Sequence, residues 1–118
     1  MINSKDMLLH SQKNKYAVPA FNCHNLETIQ VVVDIANELR SPVIVAGTPG
    51  TFDYAGRDYV QAIVETACKK YTIPICLHLD HHTDINSIKE SMNTYFLRHL
   101  LSVRHRDKIN NSNTNCLM

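Results

Sequence analysis

The sequence lacks the features that mark several common classes of protein. No apolar run approaches the roughly 20 residues that a membrane-spanning helix needs, and the first six residues have no apolar core of a secretory signal. The 12 basic and 11 acidic residues leave a formal net charge of +1, which is too small to indicate a nucleic acid or an anionic membrane as partner. We therefore expect a cytoplasmic protein that binds neither nucleic acid nor membrane.

Two classes of motif are also missing. The cysteines, Cys23, Cys68, Cys76 and Cys116, form no Cys-x-x-Cys pair and no disulfide framework, so we expect small, reduced, buried side chains. No Gly-x-Gly-x-x-Gly follows the first predicted strand, which argues against a dinucleotide-binding protein. With 44% apolar and 19% charged residues the composition is typical of a globular protein.

The first 88 residues alternate between strand and helix patterns. Short apolar runs predict buried strands at 16–21, 43–46 and 74–79, the first with Pro19 at a strand start or sheet edge. Apolar residues spaced three and four apart predict helices at 3–13, 26–40 and 57–70, and residues 47–51 read as a loop. This order predicts an α/β fold with a parallel sheet and outer helices, either an open doubly wound sheet or a (β/α)8 barrel.

The last 30 residues have a different composition. From Lys89 onward there is no Gly, Pro or Ala, and the net charge changes from −2 over residues 1–88 (7 basic, 9 acidic) to +3 over residues 89–118 (5 basic, 2 acidic). Apolar residues between Phe96 and Val103 predict a helical extension, and residues 109–115 predict a disordered end. We therefore expect a partial α/β domain over 1–88 and a divergent tail, helical and then disordered, over 89–118.

Three imidazoles and a carboxylate lie in the run His78-Leu79-Asp80-His81-His82, at the end of the third predicted strand. In α/β proteins ligands bind at the carboxyl ends of parallel strands. Neutral imidazole is a common zinc ligand, and a carboxylate beside a metal-bound substrate can transfer protons. The pattern indicates a candidate site for metal-assisted carbonyl chemistry, with polar groups satisfied at a strand end as the open alternative.

Two motifs resemble those of the zinc-dependent class II ketose-bisphosphate aldolases. The run Tyr-Thr-Ile-Pro-Ile-Cys-Leu-His-Leu-Asp-His-His at 71–82 resembles the family's first signature, and Tyr-Ala-Val-Pro-Ala-Phe-Asn at 16–22 resembles its first strand. Residues 46–52 and the doubled His81-His82 are most similar to the tagatose-bisphosphate branch, which acts in galactitol and amino-sugar catabolism. The resemblance covers residues 5–88 and implies the N-terminal three β/α units of a (β/α)8 TIM barrel, incomplete, with a divergent C-terminal tail.

The resemblance implies roles only for residues that match the motifs. Asp80 falls on the catalytic acid, which exchanges a proton with the aldehyde-side oxygen, and His81 falls on the first zinc ligand. Asn22 and Thr48, at predicted strand ends, are candidates for substrate binding, with capping or loop formation as alternatives. His78 and His82 are expected to support the site without contacting substrate, and His78 can orient its neighbours by hydrogen bonds.

The remaining histidines are not recruited to the site. His24 lies early in a loop and is expected to be structural. His99 and His105 lie in the divergent tail without matching context and are expected to be exposed polar residues.

The family's reaction is the reversible cleavage of a ketose bisphosphate to dihydroxyacetone phosphate and glyceraldehyde 3-phosphate. In the family, zinc polarises the ketose carbonyl and stabilises the enediolate. A catalytic zinc takes three protein ligands, and a full barrel takes about 250 residues. In the family, the other two histidine ligands, the Glu-rich second signature and the phosphate-binding loops lie on later strands. We therefore expect a truncated or frameshifted chain that is inactive alone.

Several alternatives remain open on the sequence. One is a fragment of the fructose-bisphosphate branch, and another is a non-catalytic remnant that docks to a partner subunit. Tagatose-type aldolases resemble two-component systems in which a non-catalytic subunit supports the catalytic one, and the resemblance also implies homo-oligomers. A flavodoxin-type phosphate-binding or redox protein is the most distant alternative.

Overall fold

The computed structural model describes residues 4–93 and 102–103. The elements, in chain order, are α1 (Ser4–Asn14), β1 (Ala20–Asn22), α2 (Leu26–Glu38), β2 (Val43–Gly47), α3 (Pro49–Ala55), α4 (Arg57–Lys70), β3 (Ile75–Leu79), α5 (Ile85–Asn93) and β4 (Ser102–Val103). None of the helices in this part of the chain is long and apolar enough to cross a bilayer.

The strands form one parallel sheet in the order β1-β2-β3-β4. Spatial order follows chain order, as expected when each helix carries the chain to the next parallel position. The register pairs Asn22 with Ala46 and Ala46 with His78, so these three residues lie side by side near the carboxyl ends of their strands. The alternating β-α-β-α-β prediction is confirmed.

The core lies between the sheet and the helices α2 and α4. Side chains that alternate along β2 and β3 face this core, because successive residues of a strand point to opposite faces. The aliphatic side chains of these elements that face the core and are at most 2% exposed are Val43, Val45, Ile75, Leu77 and Leu79 on the strands, and Ile29, Val33, Val60 and Val64 on the two helices. Each such aliphatic side chain contributes about 1.5–3 kcal/mol by burial, so this layer fixes β2 and β3.

The opposite face of the sheet carries Ile44, Ala46, Cys76 and His78 by the same alternation. Cys76 is fully buried, and this burial raises the pKa of its thiol to about 11, with a hydrogen bond from Ser4 of α1 opposing the shift. Cys23 is buried and Cys68 is partly buried, and all three are free thiols, as predicted. Cys116 lies outside the described residues.

The first strand differs from its prediction. β1 covers Ala20–Asn22 rather than residues 16–21, and all three of its residues are exposed, so the prediction of a buried strand was wrong. The apolar run predicted burial, but β1 is the edge of the described sheet and has only β2 as a neighbour. Pro19 directly precedes the strand, in agreement with the expected strand start at an edge.

The predicted loop at 47–51 is also wrong, because Gly47 ends β2 and a helix, α3, begins at Pro49. Thr48 is the N-cap of α3: its hydroxyl accepts from the Thr51 N–H, and the Thr51 hydroxyl accepts from the Thr48 N–H. This reciprocal capping box, with proline at the first helical position, satisfies donors that a short helix otherwise leaves open.

The tail contains a strand where a helix was predicted. Ser102 and Val103 pair in parallel with His78 and Leu79 of β3, so the helical extension is wrong at these two residues and the described sheet has four strands rather than three. A strand position is compatible with the same apolar residues, because helix and strand patterns are ambiguous in short apolar runs. The division at residue 88 stays a prediction, and the predicted disorder of 109–115 lies outside the described residues.

Candidate functional site

The candidate site lies where β1, β2 and β3 end. The Cys23 N–H donates to the Ala46 carbonyl at 3.0 Å, and the Asp80 N–H donates to the Gly47 carbonyl at 2.9 Å. These bonds extend the sheet ladder by one step and bring residues 22–24, Thr48 and residues 80–82 to one edge, which we call the carboxyl rim. The sequence prediction that His78, Asp80, His81, Asn22 and Thr48 gather at one edge agrees with this arrangement.

Asp80 lies between two imidazoles. Its Oδ1 is 3.8 Å from His78 Nε2 and its Oδ2 is 3.5 Å from His81 Nε2. The Asp80 and His78 side chains are mostly buried, at 20% and 16% exposure, whereas that of His81 is 76% exposed. Neither distance is that of a good hydrogen bond, so the carboxylate is held in a polar cleft without a short bond to either ring.

His81 has a left-handed backbone, with φ of 58°. This conformation costs a residue with a Cβ about 1–2 kcal/mol, and such residues are found more often at functional sites. The chain turns sharply after β3 as a result, and the His81 ring stands in solvent beside the Asp80 carboxylate. An exposed neutral imidazole is a suitable metal ligand.

His82 lies beneath this turn and is 2% exposed. Burial lowers the pKa of its ring, with the nearby charges of Arg57 and His78 acting in the same direction and the Asp80 carbonyl opposing them, so the ring is neutral at pH 7. The Nδ1–H donates to the Asp80 carbonyl at 3.1 Å. His82 therefore fastens the backbone that presents Asp80 and His81.

Phe52 of α3 packs against the His82 ring, with the ring centroids 5.4 Å apart. Its ring also lies over Gly47, where an added Cβ would come within 2.8 Å of Phe52 Cζ. Only glycine at the end of β2 allows this approach. Gly47, Phe52 and His82 thus form a packed support that the sequence did not reveal.

The two substrate-binding candidates occupy different positions. Asn22 is exposed at the end of β1, on the same face as Ala46 and His78. Adjacent strands are about 4.8 Å apart, which places the Asn22 and His78 backbones about 10 Å from each other. Thr48 has the capping role that was left open as an alternative, and its contact with a substrate stays a prediction.

A further histidine lies at the rim. His24, expected to be structural, has its Nδ1 2.9 Å from the hydroxyl of Thr51 in α3. The available signal was its position three residues beyond the end of the strand predicted at 16–21, at the same edge of the sheet as Asp80, which directly follows the strand predicted at 74–79.

The described residues do not make a complete zinc site. Among them, no group of three His, Cys, Asp or Glu side chains converges as a metal would require. Since a catalytic zinc takes three protein ligands, His81 would be one member of a larger set. His99 and His105 lie outside the described residues.

The chain, an α/β protein with a parallel sheet, belongs to the class II fructose-bisphosphate aldolase family. The sequence model of this family, described as fructose-bisphosphate aldolase class-II, matches residues 2–115. The D-tagatose-1,6-bisphosphate aldolase subunit GatY of Klebsiella oxytoca is 58% identical over 88 residues, which are 75% of this chain and 31% of that protein. The resemblance stated from the motifs is confirmed, and the relative that matches is described as an aldolase subunit.

Two solved structures are similar in fold. The YdjI aldolase of Escherichia coli K12 matches with a TM-score of 0.68 and 27% identity, over 77% of this chain and 36% of that chain. A structure from Coccidioides immitis assigned as a fructose-1,6-bisphosphate aldolase matches with a TM-score of 0.65 and 33% identity, over 71% of this chain and 31% of that one. The chain spans about a third of the length of these relatives.

Proposed function

We propose that this chain is the N-terminal part of a cytoplasmic tagatose-bisphosphate aldolase and supplies the first three β/α units of its (β/α)8 barrel. The observation that carries the proposal is Asp80, which lies at the carboxyl rim between His78 and His81. Identity to the Klebsiella oxytoca relative favours the tagatose branch. The chain-order sheet β1-β2-β3-β4 favours a barrel, because an open doubly wound sheet reverses its strand order at a switch point.

In this proposal Asp80 handles the proton on the aldehyde side of the substrate. In the cleavage direction its carboxylate accepts the hydroxyl proton as the carbon–carbon bond breaks and the aldehyde forms, and in condensation it returns that proton. The bonding electrons go to the three-carbon fragment, which forms as the enediolate of dihydroxyacetone phosphate, while the hydroxyl proton stays on Asp80. The enediolate becomes dihydroxyacetone phosphate when it takes up a proton at carbon. Two hydrogen bonds support this role: the Asp80 N–H donates to the Gly47 carbonyl, and the Asp80 carbonyl accepts from His82. They fix the Asp80 backbone and leave its carboxylate accessible.

The other rim residues have supporting roles. His81 is the ligand that this chain would contribute to the zinc of a complete enzyme, where the metal acts as a Lewis acid toward the ketose. Asn22 and Thr48 would contact the substrate, Thr48 while also capping α3. His78 and His82 would support Asp80, His78 from the cleft beside its carboxylate and His82 from below the turn.

We further propose that the 118-residue chain does not cleave ketose bisphosphates alone. Within the described residues His81 is the one ligand assigned to the zinc, whereas a catalytic zinc takes three protein ligands. The test is to assay the purified, zinc-supplied chain for triose phosphate release from D-tagatose 1,6-bisphosphate. Steady turnover comparable with that of a complete class II aldolase would contradict the proposal.

A chimera provides the positive test of the same assignment. In it, residues 1–88 of this chain replace the matching N-terminal segment of the Klebsiella oxytoca relative. We expect zinc-dependent cleavage, because the rest of the barrel would be restored. A folded, zinc-loaded chimera without aldolase activity would show that the rim of this chain is not an aldolase site.

The fructose-bisphosphate branch is the second candidate, because the Coccidioides immitis structure is assigned to that sugar. The ratio of kcat/KM for D-tagatose and D-fructose 1,6-bisphosphate in the chimera separates the branches.

A non-catalytic docking role is the third candidate, since the Klebsiella oxytoca relative is described as a subunit. Co-purification of the 118-residue chain with an aldolase partner subunit, or with copies of itself, would favour that role.

A further inference from the structure

His24 is held at the carboxyl rim from two sides. Its backbone N–H donates to the Thr28 hydroxyl at 3.2 Å, and its ring Nδ1 is 2.9 Å from the Thr51 hydroxyl. Thr51 is 1% exposed and belongs to α3, which follows β2. The His24 ring therefore connects the segment after β1 with α3, which follows β2, at the carboxyl rim.

The contact with Thr51 favours one arrangement of the ring proton. The Thr51 hydroxyl accepts from the Thr48 N–H at 3.3 Å, and its own proton can go to His24 Nδ1, 2.9 Å away, or to the Thr48 hydroxyl, 3.3 Å away. The shorter distance favours His24 Nδ1 as the acceptor, and in that arrangement the His24 Nε2 carries the ring proton and is a hydrogen-bond donor. Within the described residues Nε2 has no hydrogen-bond partner, and the residue is exposed.

We propose that His24 is a further substrate-binding residue of this aldolase, and that its Nε2–H donates to an oxygen of the bound ketose bisphosphate. The inference rests on the proposed function, because it uses the same rim. Oxygen-rich sugar phosphates present hydroxyl and phosphate acceptors, and a donor whose direction is preset by a buried hydroxyl loses little freedom on binding. His24 and Asp80 flank Thr48 from β1 and β3, so the two residues would contact opposite sides of one substrate.

Two substitutions in the chimera separate substrate binding from a structural role. In His24→Asn the amide occupies the position of Nδ1, which keeps an acceptor for Thr51 but removes the outer donor. In His24→Gln the amide reaches the position of Nε2, which keeps the outer donor but removes the contact with Thr51. We expect H24N to raise KM by about tenfold with a smaller change in kcat, and H24Q to keep a KM close to that of the parent.

His10 offers a matched control. Its Nδ1 is 2.8 Å from the Tyr16 hydroxyl, so it makes the same kind of contact as His24, but it lies on α1, outside the rim. His10→Asn and His10→Gln are expected to leave the KM unchanged. An equal rise of KM in the His10 variants would show that the effect of His24 is not specific to the rim.

The KM values of the His24 variants test the role of His24, and the activity of the parent chimera tests the proposed function. An active parent in which H24N keeps the parental KM, or in which H24Q is impaired as much as H24N, would overturn the role of His24 alone. An inactive parent would overturn the proposed function and this inference together. The tautomer gives a second measurement on the 118-residue chain, because long-range ¹H–¹⁵N spectra that place the His24 proton on Nδ1 would also contradict the proposal.

Discussion

Asp80 is the most constrained residue of the rim. Its N–H is bonded to Gly47 of β2, its carbonyl to the buried ring of His82, and its side chain lies between His78 and His81. The two backbone hydrogen bonds fix the main chain of Asp80, and the two imidazoles border its carboxylate. General acid–base groups need such fixed placement, because proton transfer requires hydrogen-bond reach to the reacting oxygen.

Replacement of Asp80 by Asn tests this role with little change of shape. We expect D80N in the chimera to lower kcat by about 10²–10⁴-fold, because an amide cannot take the proton that a general base accepts. The measurement is triose phosphate release at saturating D-tagatose 1,6-bisphosphate. Asp84→Asn is the matched control, since Asp84 accepts from the Asn86 and Ser87 N–H groups near the start of α5 and is not among the residues that form the carboxyl rim. A D80N enzyme with the parental kcat would exclude Asp80 as the proton-transferring group.

The sequence could predict where Asp80 and His81 lie but not how they are held. The apolar run before them fixes the end of β3, and strand ends of one parallel sheet meet at one edge. The left-handed backbone of His81 and the contact of His24 with Thr51 depend on how loops from different strands come together. No local pattern encodes those distances, so both features needed the structure.

Among the secondary-structure elements, the short helix α3 depends on the two residues of its capping box, Thr48 and Thr51. It is seven residues long, shorter than an isolated helix can be in water, and it begins at a capping box between Thr48 and Thr51. Phe52 is its buried apolar contact with the rest of the molecule. The cap therefore contributes a large share of the free energy that holds α3 against Gly47 and His82.

Removal of that cap should weaken the folded chain measurably. We expect Thr48→Ala to lower the free energy of unfolding by about 1 kcal/mol, and Thr48→Ser to retain most of it, because serine keeps the hydroxyl acceptor. Urea unfolding followed by circular dichroism measures both. Thr66→Ala serves as control, since Thr66 is exposed in α4 and bonds only the Ala62 carbonyl in the preceding turn. A T48A chain as stable as the parent would mean that α3 does not depend on its cap.

The longest helices and the continuous apolar strands were predicted closely. The helices α2 and α4 and the strands β2 and β3 were predicted within two residues, because 13- and 14-residue helices and continuous apolar strands carry strong periodicity. α3 has too few apolar residues to show a period. β1 was found, but its burial was not predictable, because burial of an edge depends on a neighbour that the local sequence does not specify.

The whole molecule presents one side that is not covered by the described residues. All of β1 is exposed, and Phe21 is 47% exposed there. A groove of about 230 Å³ lies beside it and has no charged side chain in its lining, which consists of Pro19, Phe21, Val32, Ile35, Ala36, Leu39 and Ser41. Backbone groups of an apolar edge strand pair readily with other chains, and natural proteins usually cover or charge such an edge.

We therefore expect the 118-residue chain to self-associate through this side, and a charge placed on it to reduce the association. Phe21→Lys puts a cation in the middle of β1, where an added strand would bury it, whereas Tyr54→Lys changes an aromatic residue of α3 that is more exposed, at 76%, and lies off the edge. Light scattering across a concentration series should give a lower weight-average mass for F21K than for the parent, with Y54K unchanged. If Y54K lowered the mass equally, general solubility rather than the β1 edge would explain the association. A parent chain that stays monomeric over the whole series would show that the β1 edge does not drive self-association. The free energy gained by burying the apolar groove would then be too small to offset the translational and rotational entropy lost on association.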